Sequence, residues 1–345
     1  MTTRISAFGR LADGRTVSRI VLGSPPGPVL HLLDLGATAH RLEVTGSDGM
    51  RRNVLLGHAS PADYLASTDY IGGTIGRYAN RIAAGRFAID GKPVSVGAHD
   101  RGNHLHGGPD GFDRRLWEIA EHSHEHVVLE LLSPDGDQGF PGNLRARATY
   151  SVDAGGVRIL LEATTDATTV VNLTSHAYFN LDGEDAGSVD EHLLQVSTEE
   201  YLPVDPTGIP LGGCVPVAGT PFDLRQPTHV GPSVRSGHEQ VAWARGIDHN
   251  FALDAGGAPA AVLESPRSGI SLRVLTDQPG IQVYTGNFLD GGRRSSTGRL
   301  LRQGDGIALE PQLFPDTPNR PEFGSAVLRR GETYRSSITW LLGRS

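Results

Sequence analysis

Short runs rich in Val, Ile, Leu, Thr and Tyr, broken at close intervals by glycine or proline, recur along the whole chain. That is the pattern of many short strands joined by turns. In Arg86-Phe-Ala-Ile-Asp-Gly-Lys-Pro-Val-Ser-Val96, the pair Asp90-Gly91 separates two strand-like runs. A two-residue turn with φ > 0 at both positions favours that pair, so the segment predicts a hairpin. From Leu144 to Val152, the apolar Leu144, Ala146 and Ala148, with Tyr150, alternate with Arg145, Arg147 and Thr149. Asp153-Ala-Gly-Gly then turns the chain into Val157-Arg-Ile-Leu-Leu-Glu162, a second hairpin. Val262–Glu264 and Ile270–Leu275 flank a Pro-Arg-Ser-Gly turn, and Tyr334–Trp340 reads as a closing strand. Only Pro61–Ser67 reads as helical. The fold class predicted is all-β, a large antiparallel β-sandwich. With no low-complexity linker, charge run or repeat to mark a boundary, a single domain over residues 1–345 is expected.

Composition narrows the partners. Lys and Arg number 31 against 39 Asp and Glu, a formal charge of -8, with no basic stripe. That argues against nucleic acid or an anionic membrane as a partner. Cys214 is the single cysteine, so no intramolecular disulfide and no cysteine-based zinc site can form. The opening Met1-Thr-Thr-Arg-Ile-Ser leads into no leader-like apolar core, and no run approaches the roughly 18 apolar residues of a membrane helix. A cytoplasmic location is expected.

Where strands should end, polar and glycine-rich clusters place ionisable or amide side chains beside aromatics. They are Gly76-Arg-Tyr-Ala-Asn-Arg-Ile82, Gly102-Asn-His-Leu-His-Gly-Gly108 with Gly111–Trp117, and Asn172-Leu-Thr-Ser-His-Ala-Tyr-Phe-Asn-Leu181. Further on come Gly246-Ile-Asp-His-Asn-Phe251, Pro279-Gly-Ile-Gln-Val-Tyr-Thr-Gly-Asn287, and Ala308-Leu-Glu-Pro-Gln312 with Pro315–Pro321. A sugar site needs this mixture: hydroxyls require planar hydrogen-bonding groups, and the C–H faces of the ring require an aromatic surface.

In order and spacing, from about residue 20 to the last strand, these clusters resemble the aldose 1-epimerase family, the mutarotases. The resemblance implies a supersandwich fold, a small-molecule aldose such as galactose or glucose as substrate, and no cofactor or metal. It implies catalytic roles for Glu310, the base toward O1, for His176, the acid toward O5, and for His106. It places sugar-binding roles on Asn80, Arg81, Asp248 and Gln282. Two departures stand out: Ser175 where the family often has Asn, and Phe323-Gly324 where Phe-Pro is common. Neither is a proposed catalytic group. Monomer and homodimer are both compatible with the chain.

Other readings of the same residues exist. Glu310 could sit in an ion pair with an arginine, since it follows the apolar run Gly306–Leu309 and an unpaired buried carboxylate is costly. Asp248 could cap a turn, and Asn80, Arg81 and Gln282 could hold loops together. His122, His124 and His126 alternate as if along one strand face, a metal site or a solvated face beside Glu121 and Glu125. His104-Leu-His106 has spacing that suits two imidazoles on one metal, with Glu310 as a further ligand. The sequon Asn172-Leu-Thr174 reads as chance. Arg114, Arg115, Arg293 and Arg294 could serve a phosphorylated hexose, and a binding module without turnover would need the amides and aromatics but not both an acid and a base.

Overall fold

The computed structural model describes residues 4–254 and 258–344; the opening Met1-Thr-Thr lies outside them. Three antiparallel sheets dominate. The first has five strands in sequence order, from 4–10 to 51–53. The second has nine, running 118–122, 126–133, 144–153, 156–165, 333–344, 270–276, 261–265, 193–196 and 228–229 from edge to edge. The third has six, in the order 178–179, 307–312, 280–284, 248–252, 200–202 and 215–216. One buried apolar cluster draws on all three, joining Leu32 of the first to Leu129, Ile159 and Ile338 of the second and Phe251, Ile281 and Leu309 of the third. The sheets therefore bury their apolar faces against a shared core, as a large β-sandwich does.

The hairpins form where the turn residues predict them. Asp90 and Gly91 adopt φ of 50° and 76° between Arg86–Ile89 and Lys92–Ser95. The second hairpin pairs Leu144–Asp153 with Gly156–Thr165 over ten residue pairs, from Leu144↔Thr165 to Asp153↔Gly156. Along Leu144–Val152 every second residue is buried, so one face carries the core and the other its arginines. Gly156 is required there: a Cβ on it would lie 1.9 Å from the Trp340 carbonyl oxygen of the neighbouring strand. The last strand runs over Thr333–Arg344, longer at both ends than its apolar core.

Two expectations fail. Beyond Pro61–Ala66, short helices form at Val230–Val234 and Glu239–Ala244, too brief for a 3.6-residue period to show. His238 caps the latter, its ring accepting the Gln240 amide. His122, His124 and His126 do not share a strand face: His122 ends one strand, His126 opens the next, and His124 lies in the turn between. The Asn172 side chain is buried, donating to Ala79 O and accepting from Leu313 N, so the sequon is closed to modification in the fold.

Candidate active site

The six-stranded sheet builds one wall of the site by register. Gln282 pairs with Asn250 on one side and with Glu310 on the other, and two residues along the same face Tyr284 lies between Asp248 and Ala308. Side chains two apart share a face, so Asp248, Gln282, Tyr284 and Glu310 project together. Gln282 Nε2 donates to Asp248 Oδ1 at 2.7 Å, which turns the carboxylate towards its neighbour rather than into a cap on its own turn. Tyr178, paired with Ala308, extends this face.

The opposite wall is made of loops. Strands Arg81–Ile82 and His104–Leu105 pair, and at their ends Asn80 and His106 both adopt left-handed backbone, φ of 63° and 50°. These two residues clasp each other: the Asn80 amide donates to His106 Nδ1 at 3.1 Å, and the His106 amide donates to Asn80 O at 3.1 Å. The Asn80 side-chain oxygen accepts the Arg81 amide, so this residue also ties its own loop. Arg81 Nε donates to Asp100 Oδ2 at 2.9 Å. Gly208 lies flat against that guanidinium, where a Cβ would approach Cζ to 2.8 Å. His176 is set between the walls, its amide donating to Gly73 O at 2.9 Å and its carbonyl accepting from Gly72 N at 3.0 Å.

These elements enclose a cavity of about 800 Å³ lined by all seven residues singled out from the sequence: Asn80, Arg81, His106, His176, Asp248, Gln282 and Glu310. His176 Nε2 stands 3.6 Å from Glu310 Oε1, and the His106 and His176 rings meet at 5.3 Å, nearly perpendicular. Tyr178 and Tyr284 also line the cavity, legible as the aromatics two residues beyond His176 and Gln282; Tyr70 and Phe288 carried no comparable signal. A second cleft of about 590 Å³, beside Arg52 and Asp182, contains Glu184. That carboxylate already accepts from Asn53, Gly57 and Ser296.

The aldose 1-epimerase family profile matches residues 18–340. The chain belongs to the aldose 1-epimerase family. It is 42% identical to the aldose 1-epimerase of Escherichia coli K12 over 333 residues, 95% of each chain, and 40% identical to the galactose mutarotase of Mus musculus over 338 residues, 97% of this chain and 96% of that one. Among solved structures it superposes on a Caenorhabditis elegans aldose epimerase homologue with a TM-score of 0.89 at 30% identity, covering 95% and 99% of the two chains. It superposes on a galactose 1-epimerase from Lactobacillus acidophilus with 0.88 at 32%, covering 100% and 99%.

In this epimerase-family site, burial governs the charges. Glu310 is 1% exposed, and among the described residues no arginine bonds it and its Oε2 has no partner. Burial, reinforced by the negative charge of Asp248 and opposed by Arg81, holds its carboxyl well above the usual carboxylate range. Burial pushes the His176 imidazole down to about 4, with Asp248 opposing the shift. His106 is likewise pushed well below its ordinary value by burial, then by the positive charges of His176 and Arg81. At 3.6 Å the His176–Glu310 contact has the spacing of an ion pair, yet both partners are driven towards neutrality. Desolvation is the larger effect for each, and it favours the neutral carboxyl and the neutral imidazole.

His106, His176 and Glu310 each bring one ligand-type atom within 4.8 Å of the others, a spacing that a metal could bridge. The hydrogen bonding opposes it. A histidine ligating through Nε2 carries its proton on Nδ1 and donates it to an acceptor, whereas His106 Nδ1 faces the Asn80 N–H. His104 is turned away, its Nδ1 donating to Gly97 O at 2.7 Å and its ring packed edge-on against Phe140.

Proposed function

We propose that the protein interconverts the α and β anomers of a free aldohexose such as galactose or glucose. The observation that carries this reading is the His176–Glu310 pair, buried and 3.6 Å apart inside a cavity walled by hydrogen-bonding groups and aromatic rings. Ring opening removes the O1 proton while O5 gains one as the C1–O5 bond breaks. Rotation about C1–C2 presents the other carbonyl face, and reclosure runs the steps backwards. Glu310 as carboxylate takes the O1 proton and His176 as imidazolium protonates O5. This reactive form has the same proton count as the resting neutral pair and is reached when hydroxyls donating to the carboxylate stabilise its charge. Because His106 Nδ1 accepts the Asn80 amide, its ring hydrogen resides on Nε2, and with Arg81 it donates towards charge developing near O5. Asp248, locked to Gln282, accepts from ring hydroxyls and holds the sugar in register; Asn80 lines the same wall.

A phosphorylated substrate is less well served. Arg114 donates to Ser67 O and Leu65 O, Arg115 pairs with Asp110 and Asp137, Arg294 donates to Gly298 O, and Arg293 reaches Ala66 O. Around the cavity, Asp69, Asp100, Asp248 and Asp290 outnumber Arg81, Arg101 and Arg293, which opposes a dianion. The apolar cluster spans Ile20 to Trp340, which supports reading the chain as one domain. Among the described residues no helix is long and apolar enough to cross a membrane. A cytoplasmic setting is supported by the lone, half-buried Cys214. Polarimetry on pure α-anomers of galactose, glucose, xylose and arabinose tests the function; no acceleration over the uncatalysed rate with any of them overturns it.

A further inference from the structure

Tyr70 is an aromatic residue in left-handed backbone, φ 56°, a conformation costly for a bulky side chain and kept only where its surroundings impose it. Here they do. Upstream, Arg114 holds the Ser67 and Leu65 carbonyls, and Tyr178 Oη donates to Asp69 O at 2.9 Å. Downstream, Gly73 N donates to Tyr70 O and Gly72 N to His176 O, both at 3.0 Å. The strained backbone points the half-buried ring into the cavity. Its centroid lies 4.6 Å from His106, edge-on at 64°, and 5.8 Å from His176, tilted at 32°. Tyr178 lies 5.0 Å from His176, also at 32°.

We propose that Tyr70 is a positioning residue: its ring closes one wall over His106 and His176, fixing both imidazole planes and keeping water from the His176–Glu310 pair. The proposal rests on the acid–base reading of that pair. The ring acts as an apolar surface, and its hydroxyl is not required. The titratable groups facing His176 are Glu310, Asp248, Tyr178, Tyr284 and His106, so an altered His176 midpoint in a Tyr70 variant, with those five intact, reports the lost cover.

Two variants separate ring from backbone. Tyr70→Phe keeps the ring; Tyr70→Gly removes it while adopting positive φ without strain. Each is assayed by polarimetry for kcat and KM on α-galactose, and by NMR titration of histidine labelled with ¹⁵N, the His176 resonance assigned with His176→Asn. Tyr70→Phe should stay within about twofold of the wild type, with the His176 midpoint near its buried value of about 4. Tyr70→Gly should lose roughly a hundredfold, chiefly in kcat, as mispositioned groups do, and its His176 midpoint should rise towards 6.5. An unmoved midpoint in Tyr70→Gly, or a loss in Tyr70→Phe as large as that in Tyr70→Gly, overturns the proposal. A wild type inert towards every aldose overturns the functional reading instead, and the titration still decides the role of the ring.

Discussion

Replacing Glu310 by Gln should stabilise the fold while abolishing turnover. The carboxyl is buried, its Oε2 meets no donor among the described residues, and burial disfavours the charged form of the imidazole 3.6 Å away. Its proton affinity is raised in the folded chain and ordinary in the unfolded one, so above about pH 4.5 folding is coupled to proton uptake. The associated stability is fully present below about 4.5 and is lost as pH rises towards the folded value. Gln is neutral throughout and avoids that loss. From the desolvation cost of one unsatisfied buried polar group, the gain at pH 8 should be about 1–3 kcal/mol, a rise of a few degrees in Tm for a chain of this size. The gain should shrink towards zero near pH 4.5. Turnover should fall by about 10²–10⁴-fold, as for loss of a general base. Calorimetry at pH 5, 6.5 and 8 beside polarimetry measures both effects. A variant less stable than the wild type at pH 8, or a difference independent of pH, would refute the account of the buried carboxyl, and near wild-type turnover would remove Glu310 from the mechanism.

His176→Asn should lose activity chiefly in kcat, because the amide can donate a hydrogen bond to O5 but cannot give up a proton; a rise in KM alone would make His176 a binder and move the acid to His106. Asp248→Asn should raise KM by about tenfold or more, since the amide retains Gln282's company but loses the charged acceptor for sugar hydroxyls; an unchanged KM for every hexose would place the sugar elsewhere. Dialysis against a chelator should leave the rate unchanged, and activity lost to it and restored by one divalent ion would sink the metal-free mechanism. His40 and His249 are each pushed to about 3 by burial, so each binds a proton on unfolding between that value and 6.5. In the Glu310→Gln background, which removes the opposing carboxyl, urea denaturation should show this contribution complete above pH 6.5 and falling below it, each histidine adding a slope of up to about 1.4 kcal/mol per pH unit; a flat profile from pH 7 to 5 in that variant would contradict this.

The strands were legible where turn chemistry and alternation agreed, as at Asp90-Gly91 and along Leu144–Val152. The helices Val230–Val234 and Glu239–Ala244 were not, because five or six residues complete too little of a helical period. The three histidines at 122, 124 and 126 misled because alternation says nothing about where a strand ends. The seven residues proposed for the site line one cavity, although 230 positions separate Asn80 from Glu310, and only sheet register and loop pairing bring them together. Tyr70 escaped notice since its contribution depends on a left-handed φ, which a tyrosine does not advertise.

The structure also inverts the protonation order that ordinary pKa values would give. With a carboxyl near 4.5 and an imidazole near 6.5, the one-proton form would be carboxylate and imidazolium, the acidic limb of the rate profile belonging to Glu310 and the alkaline limb to His176. Burial raises the first and lowers the second to about 4, so the one-proton form is neutral. The acidic limb then reports His176 gaining a second proton, and the alkaline limb Glu310 losing the only one. The two orders share a stoichiometry and therefore both give a bell, but the buried one is broad, falling away near pH 4 on its acid side. The two residues need not be held as permanent charges, which this cavity could not support. On the proposed acid–base mechanism, the protein has only to keep a single proton between two desolvated groups whose affinities bound hydroxyls would reverse.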